Sequence, residues 1–407
     1  SGVCVWVSVA AMEGSSSGGG SGVGVGLGAR PASLDPRASL YALRSAVEML
    51  QSGQSIETVS YIRTLTKIKE SLEITLPRDE FVQVMRNLVP LLSEIIQTRI
   101  PPDFVIKNNE VHKIRSAVLE IFNRVPWSQI PLDEPVYQTL DTCLHILEND
   151  NEENAISAVK VLGELYRTHR TSRGSLHVYA ERFLDCVVRY YSSFVSIVEE
   201  TLGTNTHAVS EAAESIVDRR HPIALPASMS FKVLTECPVI VVLLSQMLPS
   251  VVEDRLDSLL DNMESALSVI FTVPSDVPSP LRSIFAEFVS SEVKTTSFLT
   301  FAFRSLVNSQ ESKFKDRSLT RREVPHFVVQ LLSLCPPEAS ASRKDLFIIT
   351  RHILDLSDMR EHFVDYLDSL LDDRVLIGSD QYHNDAIRPL AFSTLADLIH
   401  HIRDHLS

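Results

Sequence analysis

The chain has 407 residues, 44% of them hydrophobic and 22% charged, which is apolar material enough for a large core and excludes wholesale disorder. Its formal net charge of −14 disfavours broad contact with nucleic acid or an anionic membrane, because a polyanion is repelled on average. Nine of the 14 glycines fall within residues 1–30, and only Gly53, Gly163, Gly174, Gly203 and Gly378 serve the rest, a scarcity that suits helices and disfavours a turn-rich β fold or a glycine-cradled nucleotide site.

Residues 1–34 read as a disordered leader. Val3 to Ala11 is apolar but lacks the preceding basic residues of a secretory signal, and Met12 followed by a Gly/Ser tract reads as the natural start, with residues 1–11 upstream of it. Gly14 to Gly18 spells the nucleophile-elbow pattern G-x-S-x-G. That pattern needs a strand before the serine and a helix after it, which a Gly/Ser tract cannot build.

From Asp35 the chain reads as successive amphipathic helices. Asp35-Pro36 makes an N-cap and first turn, followed by Leu40, Leu43, Val47 and Leu50 at helical spacing. Ile56 to Leu72 carries the next stripe, and a third helix runs from Arg78 to Arg99 before Pro101-Pro102. Further helices are predicted over 110–124, 135–148, 152–169 and 175–201, giving N-terminal repeats over 35–202. Residues 203–228, with two glycine- or asparagine-bearing breaks and two prolines, read as a loop. Beyond it, repeats over 229–407 hold helices at 229–247, 250–272, 279–308, 323–334, 343–356, 359–371 and 385–406, with Pro238 expected to break or kink the first. The predicted fold class is all-α, a HEAT-type solenoid of stacked helical pairs near 40 residues each, with an irregular single helical domain as the alternative.

The five cysteines form no CxxC pair and no Asn-x-Ser/Thr sequon occurs, a pattern that points to a reducing compartment. The longest strongly apolar run, Pro238 to Leu244, is far short of the ~20 residues that a bilayer crossing needs.

Two clusters carry candidate chemistry. In the last helix Ala391, Leu395, Leu398, Ile402 and Leu406 form the expected buried stripe, with Asp397, His401 and His405 one turn apart on its flank. H-x-x-x-H is zincin spacing, but Ile402 stands where a metalloprotease needs its glutamate, so these side chains read as packing residues and no metal or cofactor is assigned. Arg388 and Pro389 open that helix. Lys313, Lys315, Arg317, Arg321 and Arg322 form the clearest basic run, a solvated loop or a dock for an acidic partner, with Phe314, Leu319 and Val324 as its apolar contacts. No P-loop, kinase loop, zinc-finger spacing or ordered Ser/His/Asp set occurs outside the leader, so nothing in the sequence supports an enzyme.

RKDLFIITRHIL (343–354), VLIGS (375–379) and RPLAFSTLADLIHHIRDHL (388–406) closely resemble the N-terminal HEAT region of the transformation/transcription domain-associated protein family. KVLTECPVIVVLL (232–244), KTTSFLTFAFR (294–304), IRSAVLEIFNRVP (114–126) and ENDNEENAI (148–156) resemble it in the same order, so the resemblance covers residues 40–407. It implies a segment of a far longer pseudokinase scaffold of histone acetyltransferase complexes of the SAGA or NuA4 type. Such a scaffold works in the nucleus with acetyltransferase complex subunits and transcription activators as partners. It also implies that Arg388, Pro389, Leu395, Asp397, His400 and His401 are structural. The rival reading is an unrelated HEAT adaptor such as a nuclear transport receptor, and neither reading involves a membrane or direct nucleic-acid binding.

Overall fold

The computed structural model describes residues 36–51, 58–72, 77–104, 110–170, 173–202, 225–273, 277, 279–307, 318–336, 338–376 and 387–403. The predicted leader, the start site at Met12 and most of the 203–228 loop lie outside them. Among the described residues the fold is helical, with one isolated antiparallel bridge between Asn151 and Pro226. None of these helices is long and apolar enough to cross a membrane.

The helices are α1 (Pro36–Gln51), α2 (Thr58–Ser71), α3 (Arg78–Glu94), α4 (Glu110–Arg124), α5 (Glu134–Asn149), α6 (Glu152–Thr168), α7 (His177–Ser192), α8 (Phe194–Leu202), α9 (Phe231–Met247), α10 (Pro249–Ser268), α11 (Arg282–Val307), α12 (Ser318–Leu334) and α13 (Ser340–Leu354). Short turns of helix follow at α14 (Ser357–Arg360), α15 (Leu367–Leu370) and α16 (Asp373–Leu376), and then α17 (Arg388–Ile402).

Their packing alternates between two layers. One layer stacks α1, α3, α5, α7, α10 and α12 in order; the other stacks α2, α4, α6, α9, α11, α13 and α17. Each helix buries a stripe at helical spacing, as with Leu40, Leu43, Val47 and Leu50 of α1, because a lone pair of helices cannot cover its own apolar face. The stacked pairs thereby share one continuous core.

Neighbours within each layer are joined by ion pairs and, at His112, by a histidine–carboxylate contact. In the second layer Lys69 meets Glu120 at 2.5 Å, His112 meets Glu153 at 3.1 Å, Lys232 spans Glu152 and Glu287, Lys294 meets Asp345 at 3.3 Å, and Arg351 meets Asp397 at 2.8 Å. In the first, Arg44 pairs with Glu80, Arg86 with Asp133, Arg182 with Asp141 and Glu148, and Arg255 with Asp185. Exposed pairs contribute at most ~1 kcal/mol each, so they favour one register of the stack more than they hold it together.

Several predicted elements are corrected. Pro238 does not break its helix: α9 runs from Phe231 through Met247 with the proline buried inside it. An internal proline costs about 3 kcal/mol. Burial of Val233, Leu234, Cys237, Ile240, Val241 and Leu244 between α6 and α11, at about 1.5–3 kcal/mol per large side chain, outweighs it. The helix predicted over 175–201 divides at Ser193 into α7 and α8, and 359–371 is a sequence of short α and 3-10 turns. Residues 227–229, read as loop, form a 3-10 turn. Glycine at 163 is explained by close approach of helices, since a Cβ there would lie 2.9 Å from Ile240 Cδ1 of α9.

Candidate partner-binding surface

The last helix, expected over 385–406, is described from Arg388 to Ile402. Arg388 and Pro389 occupy its first turn, both exposed, where a missing N–H costs nothing because those amides have no intrahelical partner. Its buried stripe is Ala391, Thr394, Leu398 and Ile402. Thr394 takes the place expected for Leu395, which is half-buried, and bonds its hydroxyl back to Leu390 O at 2.9 Å, which lets a polar residue face the core. Phe392 and Ile399 are exposed on the far side.

Asp397 and His401 share one flank, as their i, i+4 spacing requires, and face α13. Together with Ile348, Arg351, His352, Leu354 and Asp355 they line a groove of about 440 Å³. Arg351 Nε donates to Asp397 at 2.8 Å and closes one side. Burial holds His352 below the usual histidine range, and the Arg304 guanidinium pushes it the same way against the pull of Asp355. His400 is exposed and stands edge-on to His401, ring centres 5.5 Å apart. Among the described residues no three His, Cys, Asp or Glu side chains converge to hold a metal ion. The groove is lined by both charged and apolar side chains. The α13 half of it went unassigned in the sequence, since nothing in RKDLFIITRHIL marks Arg351 as the partner of a residue 46 positions later.

Of the basic run, Lys313, Lys315, Arg317 and the side chain of Arg321 lie outside the described residues, while Arg322 is exposed in the first turns of α12. Val324, expected as an apolar contact for a partner, is 1% exposed and belongs to the core. The half-exposed Phe271 stands nearby instead, stacked on His326 at 4.8 Å, which in turn lies 4.9 Å from Tyr366. The ring stack joins three elements distant in sequence, so no local pattern announces it.

Two layers of antiparallel helices, each pair buried only by its neighbours, define an α-solenoid of the HEAT type, a class whose members present extended surfaces to other proteins. Residues 284–407 match the family model described as the Tra1 HEAT repeat central region. The chain is 26% identical over 366 residues to the human transformation/transcription domain-associated protein, covering 85% of this chain and 9% of that protein. It is 32% identical over 328 residues to the Schizosaccharomyces pombe SAGA complex/NuA4 acetyltransferase complex subunit Tra1, covering 73% of this chain and 8% of that one. The corresponding Saccharomyces cerevisiae subunit is 24% identical over 392 residues, 84% of this chain and 10% of its own length. The chain belongs to the Tra1 family and forms a HEAT-repeat segment of it. It spans no more than a tenth of the length of these three relatives. The matched model carries the description of a central region, and the N-terminal position within the relatives stays an expectation from sequence.

Proposed function

We propose that this chain is a non-catalytic scaffold segment of a nuclear transcription coactivator subunit, holding acetyltransferase complex subunits and, through them, bringing acetylation to activator-bound chromatin. The observation that carries this reading is the match of 73% of the chain, at 32% identity, to a protein named as a subunit of both SAGA and NuA4. The physics agrees with the role. A solenoid's stability is local, so separate stretches of its surface can hold separate partners without disturbing one another. Affinity purification of the endogenous protein tests it: acetyltransferase subunits should co-purify, and recovery of transport factors in their place would overturn the assignment.

Within that role, acidic activation segments dock at the basic run around Lys313, Lys315, Arg317, Arg321 and Arg322, since a chain of net charge −14 repels them elsewhere. Direct nucleic-acid binding is not expected of such a chain, for the same electrostatic reason.

A further inference from the structure

Helix α11 is largely enclosed: from Ile284 to Arg304 its residues are buried or half-buried, the half-buried ones lying mostly along one face. It packs against α8, α9, α10, α12 and α13. Its aromatic end is held by Phe288, 5.6 Å from Phe231 of α9 and 5.9 Å from Phe194 of α8. Enclosure brings polar groups into the core, and most are satisfied locally. Thr295, Thr296 and Thr300 bond back to the carbonyls of Ser291, Glu292 and Thr296 at 2.8–2.9 Å, and Tyr191 of α7 shares a 2.7 Å hydrogen bond with Thr295 Oγ1.

Glu292 is the exception. Its side chain is wholly buried, and neither carboxyl oxygen has a hydrogen-bond partner; the hydroxyl of the adjacent Ser291 has none either. Among the described residues no ion pair reaches it. Lys232 of α9 is spent on Glu152 and Glu287, Arg255 of α10 on Asp185, Lys294 of α11 itself on Asp345 of α13, and Arg343 of α13 on the carbonyls of Val375 and Cys335. On α12, Arg322 is exposed and His326 is stacked between Phe271 and Tyr366; on α8, Glu199 and Glu200 face solvent. Tyr191, kept neutral by its own burial, interacts electrostatically with both Glu292 and Cys237 of α9. An ionised carboxylate in such a place costs several kcal/mol with nothing to offset it, so the group is held as a neutral acid, its burial pushing it well above the usual carboxylate range.

We propose that Glu292 is a proton-dependent joint in the middle of the solenoid: the α9–α11–α13 stack stays closed while the carboxyl carries its proton, and opens around α11 when that proton passes to solvent. The direction follows from linkage. The folded state binds a proton that the unfolded chain, with an ordinary glutamate near pH ~4.3, has released. Stability from this group is therefore fully present below that value and declines as pH rises toward the folded one, by a factor of about ten in the opening equilibrium per pH unit.

The test is amide hydrogen exchange of α11 in the 407-residue chain and its Glu292→Gln variant, compared at matched pH from 6 to 8 so that intrinsic exchange cancels. Glutamine keeps the shape and cannot ionise. Protection in α11 should be greater in the variant, with a wild-type-to-variant ratio of opening constants that grows with pH, by up to about tenfold per unit while the folded state keeps its proton. A ratio that is flat with pH, or a less protected variant, overturns the proposal. Infrared spectroscopy of wild-type protein keeps the question decidable should the variant fold poorly: a protonated-carboxyl carbonyl band from Glu292 at neutral pH is required, and its absence also overturns the proposal.

Discussion

Arg115 of α4 and Asp150, at the turn between α5 and α6, are bound to each other inside the core, with side chains 1% and 0% exposed. The guanidinium donates through Nε at 2.9 Å and through Nη2 to one carboxylate oxygen, while Nη1 reaches the carbonyls of Ile96 and Ile100 where α3 ends in a π-helical turn. The other carboxylate oxygen accepts from Asn151 N at 2.8 Å and Asn154 Nδ2 at 3.1 Å. The Asp150 carbonyl then accepts from Ala227 N at 2.9 Å, which ties the segment entering α9 to the same point. One buried pair thus satisfies the carbonyls of a buried helix end and joins three successive helical pairs.

Removing one partner should cost far more than an exposed pair does. Arg115→Leu leaves Asp150 buried and uncompensated, and the expected loss is about 3–5 kcal/mol of unfolding free energy. Asp397→Asn, which breaks the exposed pair with Arg351, should cost ~1 kcal/mol or less. Denaturant titration of both variants checks the contrast. Equal losses would mean that the buried network does not organise the stack.

Acid should loosen the protein through its histidines. Burial lowers His169, His326 and His352 relative to their usual range. The unfolded chain therefore binds protons that the folded one refuses, so the stability from these groups is complete above about pH 6.5 and is lost as pH falls below it. Because Glu292 contributes with the opposite sign, the comparison is between wild type and His352→Gln: from pH 7.5 to 5.5 the melting temperature of the variant should rise relative to that of the wild type.

The buried thiols should be inert until the fold opens. Cys143 and Cys237 are fully buried and pushed far above the usual thiol range by desolvation, and Cys335 is pushed up to about 11. Native protein at pH 7.5 should leave these three unmodified by a thiol reagent over minutes, whereas denaturant should expose them at once. Mass spectrometry of the labelled peptides reads the result.

Charge reversal at Lys315, Arg317 and Arg321 to glutamate should weaken binding of an acidic activation segment by tenfold or more at low salt, with a smaller effect at high salt where the contact is screened. Unchanged affinity at both salt concentrations removes the basic run as the docking site.

Helical periodicity is a local property, and the chain displays it plainly: the stretch predicted over 110–124 is α4. The resemblance in RPLAFSTLADLIHHIRDHL likewise lay in the residues themselves and pointed to the family that the comparisons show. What the linear pattern could not decide was everything that depends on which helix lies against which. A proline inside α9 is read locally as a break or a kink, and the burial of that helix between α6 and α11 outweighs the cost of continuing through it. Arg351 and Asp397 are unremarkable surface charges until α13 and α17 stack. Glu292 is a charged residue type that ordinarily faces water, yet it is wholly buried in a helix packed against five others. Periodicity specifies which residues can face a core, whereas the desolvation and pairing that set a charged group's chemistry arise from neighbours far away in the chain.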